Sequence, residues 1–277
     1  MSDDITKISW IGKTFSQLFM RIFFKSVRGW KKRVPDNTRY FVEAGIDGSC
    51  LEGTIQESEN PDTKGVIILC HPFLKYGMHY FFKNNMDLQL LSQGFHVISF
   101  NFKGFGCSTL KGHAYSDDVL SIGYLIQRNY PNLPIHLLGC SFGGFHLCHA
   151  LMKDAAPFAS VVLDSVPCSV NAFFKNGILA TAMKWASNSK FSQSVGVKPI
   201  SHSLERIGGL PVLYLYGDMD KYISQLDIDN LKRKCKGLDF ARFSGCGHLE
   251  IYKKKKQCYI RIIVAYFTDN RPSKIEK

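Results

Sequence analysis

One serine in this chain stands where a nucleophile could work. It lies in Gly139-Cys140-Ser141-Phe142-Gly143-Gly144, between the apolar run Ile135–Leu138 and a helical pattern from Gly143 to Lys153. A nucleophile at the tip of a sharp strand-to-helix turn needs small neighbours two residues before and after it, or side chains collide. The turn also aims the N-terminal amides of the helix at the reacting centre. A serine hydroxyl then needs a base to take its proton and an acid to orient that base. Of the nine histidines, His248 lies in Gly245-Cys246-Gly247-His248, just past the run Asp239–Phe243, where flanking glycines let a loop reach across. His96, His136, His146 and His149 fall within strand or helix patterns and are expected to pack. His79, His113 and His202 are expected at solvent-facing or capping positions. Three aspartates could serve as the acid: Asp218 and Asp220, which follow Val212–Tyr216, and Asp164, which ends the run Ser160–Leu163. Cys140 precedes the turn's tip, so its thiol is expected to point inward as a small apolar group.

These residues gain meaning from the elements around them. Arg39–Ala44 and Cys50–Gln56 read as a hairpin joined by Gly45-Ile46-Asp47-Gly48. Short apolar runs at Val66–Cys70, Phe95–Phe100, Ile135–Leu138, Ser160–Leu163 and Val212–Tyr216 have the look of buried parallel strands, with Asp239–Phe243 after them. Helical patterns separate them at Met78–Gln93, Tyr115–Asn129, Gly143–Lys153, Ser224–Cys235 and Glu250–Phe267. This alternation predicts an α/β fold, a mostly parallel twisted sheet covered by helices on both faces. In such sheets functional residues gather past the carboxyl ends of the strands, which is where Ser141, the three aspartates and His248 lie.

On these motifs the chain resembles the α/β-hydrolase superfamily over most of residues 38–268. The resemblance implies Ser141 as nucleophile, His248 as base and Asp220 as acid, in the order Ser, Asp, His along the chain. The family's spacing favours Asp220 over Asp218, and Asp164 marks an acid position used in some relatives. His71-Pro72-Phe73 is similar to the family's His-Gly segment. Proline at 72 removes one amide donor, which leaves Phe73 N–H, with Phe142 N–H, for the oxyanion hole and makes His71 structural. Asn101-Phe102-Lys103-Gly104-Phe105-Gly106-Cys107-Ser108 looks like the family's acidic-x-Arg-Gly-x-Gly-x-Ser loop, with Asn and Lys replacing the charged pair. The implied activity is that of a serine hydrolase of the carboxylesterase, lipase or thioesterase kind. It would act on acyl esters or thioesters through an acyl-enzyme, without cofactor. An acyltransferase on the same residues, and a membrane-associated interaction protein that kept the fold, are the alternatives.

Composition bounds the remaining possibilities. With 277 residues, 45% hydrophobic and 21% charged, the chain can build one large core, and a disordered or coiled-coil protein is excluded. The net charge of +12 is concentrated at the ends, in Lys25, Arg28, Lys31, Lys32 and Arg33 and in Lys253–Lys256. No nucleic-acid motif accompanies it, so the expected anionic partner is a membrane surface rather than nucleic acid. Residues 1–37 form an apolar and basic helical segment. Ile8, Ile11, Phe15, Leu18 and Ile22 lie at helical spacing, and charges interrupt the run before it could span a bilayer. Asp3 and Asp4 ahead of the run, with no cleavage site after it, argue against a signal peptide. The segment either packs on the domain 38–277 or anchors it peripherally to a membrane. Nine scattered cysteines predict a reducing, cytoplasmic setting. Cys140, His146, Cys148 and His149 lack the spacing of a metal site, and no metal is expected. Residues 165–208 are the one sizeable insertion and read as a small helical cap carrying Phe173, Phe174 and Trp185.

Overall fold

The computed structural model describes residues 38–74, 76–109, 111, 114–169, 172 and 198–269. Residues 1–37 and most of the expected cap insertion, 165–208, therefore lie outside the described residues. A hairpin opens the fold, β1 (Thr38–Ala44) and β2 (Cys50–Gln56), followed by β3 (Gly65–Cys70), α1 (His79–Lys83), α2 (Met86–Leu91) and β4 (Phe95–Phe100). Next come α3 (Tyr115–Asn129), β5 (Ile135–Cys140), α4 (Phe142–Lys153), β6 (Ser160–Asp164) and the short α5 (Ile200–Leu204). The chain continues through β7 (Val212–Gly217), α6 (Gln225–Lys234), β8 (Leu238–Phe243), α7 (Ile251–Lys254) and α8 (Lys256–Asp269).

The strands form one eight-stranded sheet in the order β1-β2-β4-β3-β5-β6-β7-β8. β2 runs antiparallel to both neighbours, and β3 to β8 are all parallel. The strands from β3 to β7 are almost wholly buried, unlike the half-buried edge strand β8, and alternation divides their side chains between two cores. Val66, Ile68, Val161, Leu163 and Tyr214 enter the core under α3 to α6. Ile67, Leu69, Val162, Leu213 and Leu215 enter the one under α2 and α8.

The parallel-sheet architecture matches the expectation, with two local departures. The pattern at Met78–Gln93 forms two short helices, because Asn85 takes a left-handed conformation with φ 54°. Asparagine tolerates that region better than most residues. The closing helix Glu250–Phe267 is likewise broken, at Lys255, where ψ 41° interrupts the turn between α7 and α8. α6 begins as its sequence suggests, with Ser224 and Asp227 forming a reciprocal capping box. Among the described residues no helix is long and apolar enough to cross a membrane. Lys253–Lys256 spans the end of α7 and the start of α8, and the residues on either side of it, Tyr252 and Tyr259, bond to the Asn84 carbonyl and to Asp164 of β6.

Candidate active site

Ser141 is the joint between β5 and α4, and its backbone is strained at φ 48°, ψ −114°. Such a conformation costs about 1–3 kcal/mol and persists only where surrounding structure enforces it. The glycines make it sterically possible. A Cβ at Gly139 would lie 2.5 Å from Gly144 Cα, one at Gly143 2.2 Å from the Cys70 carbonyl oxygen, and one at Gly144 2.3 Å from Val166 Cγ2. The collision expected from the spacing is thus a backbone-to-backbone one. Asp164 also contributes, since its carbonyl accepts the Ser141 N–H at 2.9 Å.

His248 and Asp220 converge on this serine. Ser141 Oγ lies 2.9 Å from His248 Nε2, and His248 Nδ1 lies 2.8 Å from Asp220 Oδ2. An ionised carboxylate only accepts, so Nδ1 carries the proton and Nε2 of the neutral ring accepts from the serine hydroxyl. Asp220 is buried and its other oxygen accepts the Tyr222 N–H at 2.9 Å, so the carboxylate cannot swing away. The two loops lie against each other because Gly217 has no side chain: a Cβ there would lie 2.0 Å from the Cys246 carbonyl oxygen.

The other two aspartates do different work. Asp218 accepts the Gly245 N–H at 2.8 Å and pairs with Arg242 at 3.2 Å, which anchors the turn ahead of His248. That amide bond, then Ser244 and Arg242, hold its carboxyl below the ordinary range. Asp164 is buried and makes no hydrogen bond to His248. It accepts from Tyr259 Oη at 2.8 Å and Ser165 Oγ at 2.9 Å, and burial raises its pKa. Ser165 Oγ in turn accepts the Leu249 N–H at 3.2 Å. Ser165 and Leu249 are both left-handed, at φ 53° and 59°. The Asp164–Ser165 pair therefore grips the residue after His248 while its backbone grips Ser141.

The segment after β3 has the expected structural histidine. His71 is fully buried, its Nε2 accepts the Phe102 N–H at 3.1 Å, and Nδ1 donates to the Pro72 carbonyl at 2.9 Å. Burial pushes its pKa down to about 4. Leu74 N–H bonds back to the Pro72 carbonyl at 2.8 Å, which puts Phe73 at the apex of a tight turn. The Phe73 and Phe142 rings are 5.1 Å apart, and Phe142 directly follows Ser141. Phe142 opens α4, where first-turn amides have no intrahelical acceptor.

Several neighbours have partners that no local sequence signal gives. Lys103 is fully buried. It pairs with Asp118 at 3.1 Å and with Asp47 from the β1–β2 turn, an association that only the tertiary fold creates. Burial raises the Asp118 pKa to about 7 against the opposing pull of Lys103. Lys103 and Ser49 hold Asp47 low despite its partial burial. Asn101 Oδ1 accepts the Met78 N–H at 2.8 Å. His79 is half-buried with its ring edge on Phe82 rather than facing solvent. His113 lies outside the described residues. Cys140 is buried in the core on the far side of the sheet from Cys148, so those two thiols cannot share a metal.

Residues 65–191 match the family model described as the alpha/beta hydrolase fold. An esterase structure from Pyrococcus furiosus superposes with a TM-score of 0.72 at 14% identity, over 91% of this chain and 99% of that one. An α/β serine hydrolase without lid from Xanthomonas campestris gives 0.58 at 18% identity, over 88% and 99%. An esterase from Exiguobacterium antarcticum gives 0.61 at 14% identity, over 82% and 99%. No curated protein matches the sequence. This chain has the α/β-hydrolase fold.

Proposed function

We propose that this α/β-hydrolase-fold chain is a serine hydrolase cleaving carboxylic ester or thioester bonds through an acyl-enzyme. The observation that carries the reading is the unbroken sequence of contacts from Ser141 Oγ to His248 at 2.9 Å and from His248 to buried Asp220 at 2.8 Å, with the serine on a strained turn. Ser141 Oγ attacks the acyl carbon while His248 Nε2 takes its proton. Asp220 keeps the imidazole in the required tautomer and stabilises the imidazolium that forms. The amides of Phe142 and Phe73 receive the oxyanion, each such donor being worth about 3–4 kcal/mol in comparable sites. His248 returns its proton to the leaving alcohol or thiol. Water, deprotonated by the same nitrogen, then releases the acid and restores Ser141.

The domain boundary near residue 38, the cap at 165–208 and a peripheral membrane role for residues 1–37 are part of the same proposal. Hydrolysis of p-nitrophenyl butanoate tests the chemistry. Ser141→Ala should fall to the uncatalysed background with its melting curve intact, and retained turnover would overturn the assignment.

A further inference from the structure

The strand order divides the space around the nucleophile. Ser141 stands above β5; β3 and β4 lie to one side, and β6, β7 and β8 to the other. Asp220 and His248 follow β7 and β8. On the serine-hydrolase reading, the leaving group takes its proton from His248 and so lies on the β7–β8 side. The acyl part then falls on the side of β3 and β4.

That side carries a continuous aromatic surface. Phe73, Tyr115, Phe142 and His146 are all half-buried, at the carboxyl ends of the strands. The Phe142 ring is 5.1 Å from Phe73, 5.1 Å from Tyr115 and 4.4 Å from His146, and Tyr115 is 4.9 Å from His146. Phe102 and Phe105, both fully buried, back the row. Among the described residues His146 makes no hydrogen bond, although it is only half-buried and its ring stands at the end of the row away from Phe73. It is also neutral: desolvation, with His149 and Lys103 nearby, pushes its pKa down to about 3. Lys103 offers no charge to a ligand, being committed to Asp47 and Asp118.

We propose that these four rings form the acyl-side pocket, that it takes a flat aromatic acyl group bearing a neutral hydrogen-bonding substituent, and that His146 is the polar contact for that substituent. The proposal rests on the serine-hydrolase reading for its orientation. Flat rings match the tilted and edge-on geometry already adopted by Phe142 and its neighbours. A neutral donor or acceptor satisfies His146, whereas a carboxylate would be desolvated against an uncharged ring.

Calorimetric binding to the Ser141→Ala chain separates the pocket from the chemistry. Methyl 3-phenylpropanoate should bind about 10-fold more tightly than methyl hexanoate, and a para-hydroxyl on the ring should add about 5-fold. In Ser141→Ala/His146→Phe the hydroxyl's gain should vanish while the ring's preference survives; in Ser141→Ala/His146→Asn part of the gain should return. Equal binding of phenyl and hexanoyl esters to Ser141→Ala overturns the pocket even if the double variants fail to fold. So does a hydroxyl gain that persists in the folded phenylalanine variant. Fluorophosphonate labelling of the unaltered chain reads the chemistry separately. Labelling without an aryl preference removes the pocket alone, and an aryl preference without labelling removes the hydrolase reading and leaves a binding site.

Discussion

The two sides of Ser141 are built by different physics. Towards β3 and β4 the surface is packed rings around Phe142, fixed by burial and by one internal charge cluster, Asp47–Lys103–Asp118. Towards β7 and β8 it is loops, fixed by hydrogen bonds and ion pairs: Asp220 to Tyr222 N–H, Asp218 to Gly245 N–H, Glu250 to Lys254, Ser165 to Leu249 N–H. Lys221, Met219 and Leu226 stand exposed on that side. A group that changes charge during a reaction needs fixed dipoles around it, and loops with anchored backbones supply them. A group that only has to be recognised can lie against packed rings.

The contrast breaks most visibly at Asp220. Asp220→Asn should leave the fold and KM nearly unchanged and lower kcat by about 10⁴-fold, because the amide favours the wrong histidine tautomer. Steady-state kinetics on a chromogenic ester reads this, and a loss below tenfold would contradict the assigned role. On the aromatic side the matching probe is Lys103→Met. It leaves two carboxylates facing each other with no cation between them, so stability should drop by about 3–5 kcal/mol by urea unfolding. Retained stability would mean the charge cluster is dispensable.

Acidification tests the buried histidines next. His71 and His136 both have folded pKa values of about 4, lowered by burial. The unfolded chain binds their protons first, near the ordinary histidine value, so their stabilising contribution is complete above that value and is lost as pH falls towards 4. Each contributes a slope of about 1.4 kcal/mol per pH unit in that window. Asp118, raised to about 7, opposes one of them, because the native state holds its proton while the unfolded chain has released it. His136→Phe, placed against Phe267 and Phe95, should flatten the pH dependence of stability by about 1.4 kcal/mol per pH unit. An unchanged slope in urea melts between pH 6.5 and 4.5 would exclude that account.

The smallest effect belongs to the loop side. Ser165→Gly keeps the left-handed backbone accessible but removes the acceptor for Leu249 N–H. It should lower kcat by about tenfold, a misplacement effect, with KM unchanged. A pure stability loss without change in kcat would reduce Ser165 to a structural residue.

Much of this arrangement was legible in the sequence, for definite reasons. The strands from β3 to β7 are short apolar runs that only a doubly covered sheet explains, and Gly139, Gly143 and Gly144 mark a turn that nothing larger can make. Ser141 and His248 stood out by where those runs end, whereas Asp220 was preferred to Asp218 and Asp164 only through the family resemblance. The breaks at Asn85 and Lys255 were not legible, because one residue's backbone angle decides each and the apolar pattern continues across them. Asp47 meeting Lys103 joins residues 56 apart, and Ser165 meeting Leu249 joins residues 84 apart, so both pairings depend on the completed topology. The aromatic row was equally hidden, because Phe73, Tyr115 and Phe142 come from three separate segments, and only His146, one helical turn after Phe142, shares an element with another member.

Fluorophosphonate labelling with intact mass and peptide mapping tests the central claim most directly. A single adduct on Ser141, lost in Ser141→Ala and strongly slowed in His248→Ala, is the predicted result. A folded chain that takes no adduct, or takes it equally well without His248, would contradict the account of an activated serine.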